Sequence, residues 1–160
     1  MKLIPADIKW DIKKFSQLTA PKLYELLRLR VDVFVVEQAC PYGELDGKDT
    51  HAHTLHVAMR LADDRLAAYL RILAPGISYT GVSFGRVVTA KAFRGRGLGH
   101  ALIEKAIDLS RKNWPGIPVQ IGAQEYLSAF YQSHGFEPIS PIYLEDNIPH
   151  IDMVRKQGAL

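Results

Sequence analysis

The segment Arg94-Gly95-Arg96-Gly97-Leu98-Gly99 places three glycines within five residues, beside two arginines and just before His100. Glycine has no Cβ, so such a run reaches positive φ readily and lets the backbone approach a ligand closely. Before it lies Phe84-Gly85-Arg86-Val87-Val88-Thr89, an apolar, β-branched stretch that reads as a strand. After it, Leu98 to Lys112 carries helical periodicity. A glycine turn that opens a helix aims unpaired N–H groups at whatever sits before it, with the positive end of the helix dipole behind them. That arrangement holds phosphate, and Arg94, Arg96 and His100 add charge or donors. A solvated glycine-rich turn is the competing explanation.

Two other phosphate motifs fail here. A dinucleotide fingerprint needs its third glycine at His100 and an acid about 20 residues later, where Gln120 is the nearest polar residue. A P-loop needs Gly-Lys-Ser/Thr, but Gly47-Lys48 is followed by Asp49 and has Tyr42 at the first glycine position.

The pattern Arg94-x-x-Gly97-x-Gly99 resembles the Q/R-x-x-G-x-G/A acetyl-CoA loop of the GNAT superfamily of N-acetyltransferases. Downstream, Val119-Gln120-Ile121-Gly122-Ala123 reads as a strand. It is followed by Phe130-Tyr131-Gln132-Ser133-His134-Gly135-Phe136, which resembles the family's F-Y-x-x-x-G-F block. The first half is similar to the ElaA-type branch, through Val33-Phe34-Val35-Val36-Glu37-Gln38, Cys40-Pro41-Tyr42 and Asp46-Gly47, and so is the ending Glu145-Asp146-Asn147-Ile148-Pro149-His150-Ile151.

The resemblance implies an α+β fold. Its central sheet is mixed, mostly antiparallel, of about six or seven strands, splayed between two parallel strands and flanked by helices. It places the parallel strands at Arg86 to Thr89 and Val119 to Ala123. Acetyl-CoA is the implied co-substrate, with no metal. Its pyrophosphate would meet Arg94, Gly95, Arg96, Gly97, Gly99 and His100, and its pantetheine arm the strand edge at Val87, Val88 and Thr89. A backbone N–H near Val88 would polarise the thioester. Gln124 stands seven residues before Tyr131, where many members carry asparagine; the amide is kept, one methylene longer.

Tyr131 is the candidate to protonate the departing thiolate. Leu127 and Phe130 pack, which leaves its phenol for the cleft; a core tyrosine with a satisfied hydroxyl is the competing role. The acceptor amine must lose a proton before attack, and Glu37, Asp46, Asp49 and His150 are candidate bases. Glu37 follows an apolar helix end, where burial would shift a carboxylate towards neutral. His150 follows a proline on the last hairpin. His51, His53 and His56 do not form a metal set, since on a strand only the first two share a face. Cys40 beside Pro41 is a loop or packing thiol.

The elements that must position these groups read as follows. Ile8, Trp10 and Ile12 alternate as a half-exposed strand. Thr19 is an N-cap with Pro21 in the first turn, and Leu23, Leu26, Leu27, Val31, Phe34 and Val35 extend one helix from Ala20 to about Val36. Ala39 to Thr50 is a long loop. Thr54 to Arg60 and Arg65 to Leu73 form a hairpin around Asp63-Asp64. Val82 to Thr89 is the strand before the glycine turn. Trp114-Pro115-Gly116 ends the long helix. Glu125 to Ser133 is a short helix with Gly135 near its C-cap. Glu137 to Ile142 and Pro149 to Val154 are strands joined by the Glu145-Asp146-Asn147 turn.

At 160 residues the chain fits one domain, residues 1–160, with a real core. Hydrophobic residues make up 48%, which excludes a disordered chain. A net charge of +3 without a Lys/Arg stripe gives no nucleic-acid signature. One cysteine excludes an internal disulfide. Asp7, Lys9 and Asp11 interrupt Met1 to Lys14, so no signal-peptide core is expected there, and no apolar run approaches a membrane span. The expectation is a cytoplasmic enzyme, compatible with a homodimer, that moves an acetyl group to a primary amine on a small molecule or peptide. The alternatives are an acyl-CoA-binding sensor or structural module without turnover and, from the arginines of the loop, a nucleic-acid binder.

Overall fold

A computed structural model of the chain describes residues 7–158. Residues 1–6 of the Met1 to Lys14 reading, and the last two residues of the expected 1–160 domain, lie outside them. β1 (Ile8–Lys13) leads to α1 (Ala20–Val31), which opens as expected: Thr19 Oγ1 accepts from the Lys22 N–H at 3.4 Å, with Pro21 in the first turn. The expected single helix to Val36 instead changes pitch. Residues Asp32–Glu37 form a wider π-helical turn, with Gln38 N–H donating to Val33 O (3.1 Å) and Cys40 N–H to Val35 O (3.0 Å). Val31, Val33, Val35 and Val36 crowd χ1 against the preceding turn there, and single π turns gather at functional sites.

β2 (Leu55–Leu61) and β3 (Leu66–Leu73) form the expected hairpin, and β4 (Ser83–Thr89) completes an antiparallel sheet in the order β1-β2-β3-β4. β2 and β3 are buried on nearly every residue because both their faces are covered. One face packs Leu70, Ile72 and Phe84 against Leu102, Ile103 and Ala106 of α2 (Leu98–Asn113). The other packs Tyr69 and Val88 against Leu26 of α1. His51 and His53 lie in a turn, their ring centroids 5.7 Å apart, and not on a strand as assumed.

The second sheet holds β5 (Val119–Gln124), β6 (Glu137–Pro138), β7 (Tyr143–Glu145) and β8 (Ile148–Arg155), with β5, β6 and β7 all pairing with β8. A 3-10 turn, Glu125–Leu127, and the short α3 (Ser128–Gln132) replace the expected single helix. The strand expected over Glu137 to Ile142 shrinks to two residues. Pro138 and Pro141 have no N–H to give a ladder, so the final hairpin is β7–β8. Asp146 (φ +49°) and Asn147 (φ +62°) make its turn, as a tight two-residue hairpin requires.

The expected sheet of about six or seven strands is thus two four-stranded sheets. They touch at one parallel bridge, Val82 with Val119, where Val82 N–H donates to Pro118 O (3.0 Å) and Gln120 N–H to Val82 O (2.8 Å). Beyond the bridge β4 and β5 separate, and a cleft opens between them.

Candidate active site

The cleft measures about 1010 Å³ and runs between β4 and β5 under the π-helical turn. Val87, Val88, Thr89, Arg94, Gln124, Tyr131, Glu37 and His150 all line it. The structure therefore gathers both halves of the predicted site, although 94 residues separate Glu37 from Tyr131 only in sequence order and not in space.

The glycine segment lies just past the β4 end of the cleft. Gly95 (φ +77°) and Gly97 (φ +79°) are left-handed, and Gly97 is the N-cap of α2 with no side chain capping the helix. The first-turn N–H groups of α2 are thus left for another acceptor. Nothing lies within 4 Å of a Cβ built on Gly95 or Gly97, so the space before the helix is open. These residues fit a pyrophosphate. Arg94 Nε donates to Thr89 O (3.2 Å), which holds the guanidinium at the strand end. Arg96 lies instead over the Phe93 ring, 5.6 Å from its centroid. His100 Nδ1 meets His134 Nε2 at 2.9 Å and its ring lies tilted 4.8 Å from that of Phe130, so it faces α3.

Glu37 requires a correction. It is not buried and not shifted towards neutral. Its carboxylate grips both prongs of Arg94 at 2.5 and 2.7 Å, and that contact holds it below the usual carboxylate range. The π-helical turn carries it past the apolar helix end to the cleft rim, beside the one cation of the cradle that points into the cleft.

β4 contains a bulge. Tyr69 pairs with Val88 and Arg71 with Gly85, so Arg86 and Val87 together oppose Leu70. Arg86 sits at φ +54°, a conformation that costs a non-glycine residue about 1–2 kcal/mol. Counting back from Ala90, whose N–H donates to Ala67 O (2.9 Å), the alternation of an antiparallel ladder turns Val88 towards β3 and Thr89 and Val87 towards the open edge. The main-chain N–H near Val88 that faces the cleft is therefore that of Val87.

Behind the bulge lies a buried ionic network that the sequence reading missed. Arg30 donates to Glu44 (2.9 and 2.9 Å) and Asp49 (2.7 and 3.1 Å), and Arg71 to Asp46 (2.8 Å) and Asp49 (3.0 Å). Burial alone would raise the carboxyl of Asp46, but Arg71, the Lys48 N–H and Arg86 outweigh it and hold it well below the usual range. Asp49 is likewise lowered against its burial, by Arg30 and Arg71. Both candidate bases are therefore bound up as structural anions. The sequence did hold one signal of this region: Gly85 inside a β-branched strand marks a bulge.

Tyr131 is 5% exposed, packed against Phe84, Phe130 and Phe136 at centroid distances of 6.5, 5.1 and 6.0 Å. Burial pushes its phenol up. Both roles weighed for it meet: the ring is core, yet it lines the cleft. Gln124 Nε2 donates to Gln38 Oε1 (3.3 Å), so the longer amide is tied to the loop after the π turn. His150 Nδ1 lies 2.7 Å from Ile148 O. A carbonyl only accepts, so Nδ1 carries a proton, and Nε2 lies 3.4 Å from Glu145 Oε2. Cys40, 7% exposed, lies 3.5 Å from Asp146 O and ties its loop to the last hairpin.

A splayed pair of parallel strands, a strand bulge and a glycine cradle at a helix start define an acyltransferase fold that works on acyl-CoA. A sequence model of the acetyltransferase (GNAT) domain matches residues 29–157, and the chain belongs to this family. It is 43% identical to protein ElaA of Escherichia coli (strain K12), over 93% of this chain and 97% of that protein. Its structure is similar to that of an acyl-CoA N-acyltransferase from Pseudomonas aeruginosa, with a TM-score of 0.87 and 45% identity over 92% of this chain and 99% of that one. It is equally similar to crystalline E. coli ElaA, with a TM-score of 0.86 and 42% identity over 93% and 99%. The chain is an ElaA-like member of the family.

Proposed function

We propose that this protein is a cytoplasmic N-acetyltransferase that moves an acetyl group from acetyl-CoA to a primary amine by direct attack on the thioester. The observation that carries this reading is the splay of β4 and β5 directly beside the uncapped start of α2. Acetyl-CoA supplies the acyl group as an activated thioester, and the residues of the chain do the rest. The N–H groups of Gly95 to Gly99 and the Arg94 guanidinium receive the pyrophosphate. The outward edge of β4 at Val87 and Thr89 receives the pantetheine amides, with the Gln124 amide opposite. The Val87 N–H stabilises the oxyanion that forms when the amine attacks.

Among the four candidate bases, His150 alone both lines the cleft and is free of an arginine. Its Nε2 accepts the proton of the amine, and Glu145 stabilises the imidazolium. Tyr131 donates its phenolic proton as the C–S bond breaks. The acceptor is a small-molecule or peptide amine that enters from the side of Glu145 and His150.

Binding of acetyl-CoA only to the native state raises the melting temperature by mass action. A clear shift with acetyl-CoA is expected, together with thiol release that depends on an amine from a panel of small amines and peptides. An equal shift with NAD and ATP would refute a built acetyl-CoA site. Binding without thiol release from any amine would leave a sensor of acyl-CoA instead of an enzyme.

A further inference from the structure

Arg86 is placed where a glycine would be unstrained. Its φ of +54° is left-handed, and it is not one of the Asp or Asn residues that tolerate this region. What arginine adds is a long side chain, and two of its three nitrogens, Nε and Nη2, meet partners on one wall of the cleft. Nε lies 2.7 Å from Glu44 Oε1, in a contact that is ionic and not an aligned hydrogen bond. Nη2 donates to Glu44 O at 2.9 Å and lies 3.4 Å from Asp46 Oδ2. The guanidinium sits over the Tyr42 ring, 5.4 Å from its centroid.

Those partners are themselves immobile. Glu44 is 4% exposed and Arg30, its second partner, is fully buried. Asp46 is held by Arg71 of β3, and Asp49 joins Arg30 to Arg71. The Asp49 carbonyl in turn accepts from His56 Nε2 at 2.9 Å, on β2. Arg86 is thus roped to α1, β2, β3 and the 44–49 loop at once. The residue after it is Val87, whose N–H faces the open edge of the cleft. A rotation at Arg86 would swing that N–H.

We infer that Arg86 is a positioning residue for acyl transfer: its guanidinium, clamped by Glu44 and Asp46, locks the β4 bulge so that the Val87 N–H stays aimed at the thioester carbonyl. The inference rests on the acetyl-transfer reading above. It explains why a strained arginine stands where glycine would fit, and why an ionic network is buried behind a strand that contributes only main-chain groups to the chemistry.

The test uses Arg86→Gly, which keeps the left-handed backbone accessible but removes the clamp, and Arg86→Lys, which keeps the charge without the fork. Acetyl-CoA carrying ¹³C at the thioester carbonyl is bound to each protein. The carbonyl stretch is read by isotope-edited infrared spectroscopy, alongside CoA affinity, circular dichroism and thiol release. Wild type should show a stretch lowered from its value in solution. Arg86→Gly should fold, bind CoA within about threefold of wild type and show a stretch displaced back towards solution. Its kcat should fall about 10- to 100-fold, part of what loss of a whole oxyanion donor gives, and Arg86→Lys should fall between. A variant with the wild-type stretch and kcat within about twofold overturns the inference. So does a loss confined to the KM of the amine, which would make Arg86 an acceptor-binding residue. Should Arg86→Gly not fold, Arg86→Lys decides by the same readings. An unshifted stretch in wild type that binds acetyl-CoA would instead refute the acetyl-transfer reading beneath.

Discussion

At the scale of single residues, each side chain of the site acts through what it touches. Tyr131 is packed by three phenylalanines, so its phenol is held in one place at the floor of the cleft. Tyr131→Phe removes only the hydroxyl, and CoA affinity and fold should stay nearly unchanged. If the phenol protonates the thiolate, kcat and kcat/KM should fall together, by about 10²–10⁴-fold. Activity within about twofold, with chemistry shown to be rate-limiting, would leave Tyr131 as packing alone. On the proposed acetyl-CoA reading, Glu37 competes with the pyrophosphate for Arg94. Glu37→Gln frees the guanidinium, so CoA should bind about two- to fivefold more tightly at low salt, an effect the size of an exposed ion pair. The gain should shrink as salt screens it. Calorimetry at two ionic strengths checks this, and weaker binding would show that Glu37 orients Arg94 for the ligand. Tyr131 and Arg94 stood out as candidates in the sequence because each sits in a short, spaced motif. The real setting of Glu37 was not, because its partner lies 57 positions away.

At the scale of elements, the start of α2 is the part most dependent on backbone conformation. Gly97 is its N-cap at φ +79°, with open space around it. Gly97→Val puts a β-branched side chain in a left-handed conformation and fills the anion site. The rest of α2 is secured by Leu98, Leu102, Ile103 and Ala106, all buried, so the variant should fold, with a lower melting temperature and no measurable CoA binding by calorimetry. Gly99→Ala is a milder case, since its Cβ would meet Phe130 at an ordinary 3.6 Å. Wild-type CoA affinity in a folded Gly97→Val would remove the pyrophosphate from this loop. Helix starts, the β2–β3 hairpin and the β4-turn-α2 order were all legible from caps, alternation and glycines. The π turn after α1 and the swap of β6 for β7 in the last hairpin were not. The first depends on how β-branched residues settle against their own helix, the second on prolines that deny a ladder its donors.

At the scale of the whole molecule, the buried ionic network ties α1, the 44–49 loop and the first sheet together, and it gives stability a pH dependence. His56, 1% exposed, accepts at Nδ1 from Tyr69 (2.7 Å), and burial lowers its pKa from 6.5. Asp46 and Asp49 lie below their ordinary 3.8 despite burial, because Arg71 and Arg30 outweigh it. In all three cases the unfolded chain binds more protons than the native one, so stability rises with pH. The His56 contribution is complete above about pH 6.5 and is lost below it. The carboxylate contributions are complete above about pH 4 and are lost below it. The melting temperature should therefore fall in two stages on acidification, and His56→Gln should shrink the upper one to the part that His134, whose pKa burial also lowers from 6.5, contributes. A flat profile from about pH 8 to 5 would contradict this linkage. By itself the sequence determined the family and the α+β order of elements, and it singled out the glycine turn and Tyr131 as candidates, because all of these rest on local spacing: glycines in a turn, periodicity along a helix, a block of adjacent residues. Only the tertiary structure decided that Glu37 belongs to Arg94, that Asp46 and Asp49 are bound up as anions and that Arg86 sits strained behind Val87. Ion pairs and strand register join residues tens of positions apart, and their geometry exists only once two sheets have packed against α1 and α2.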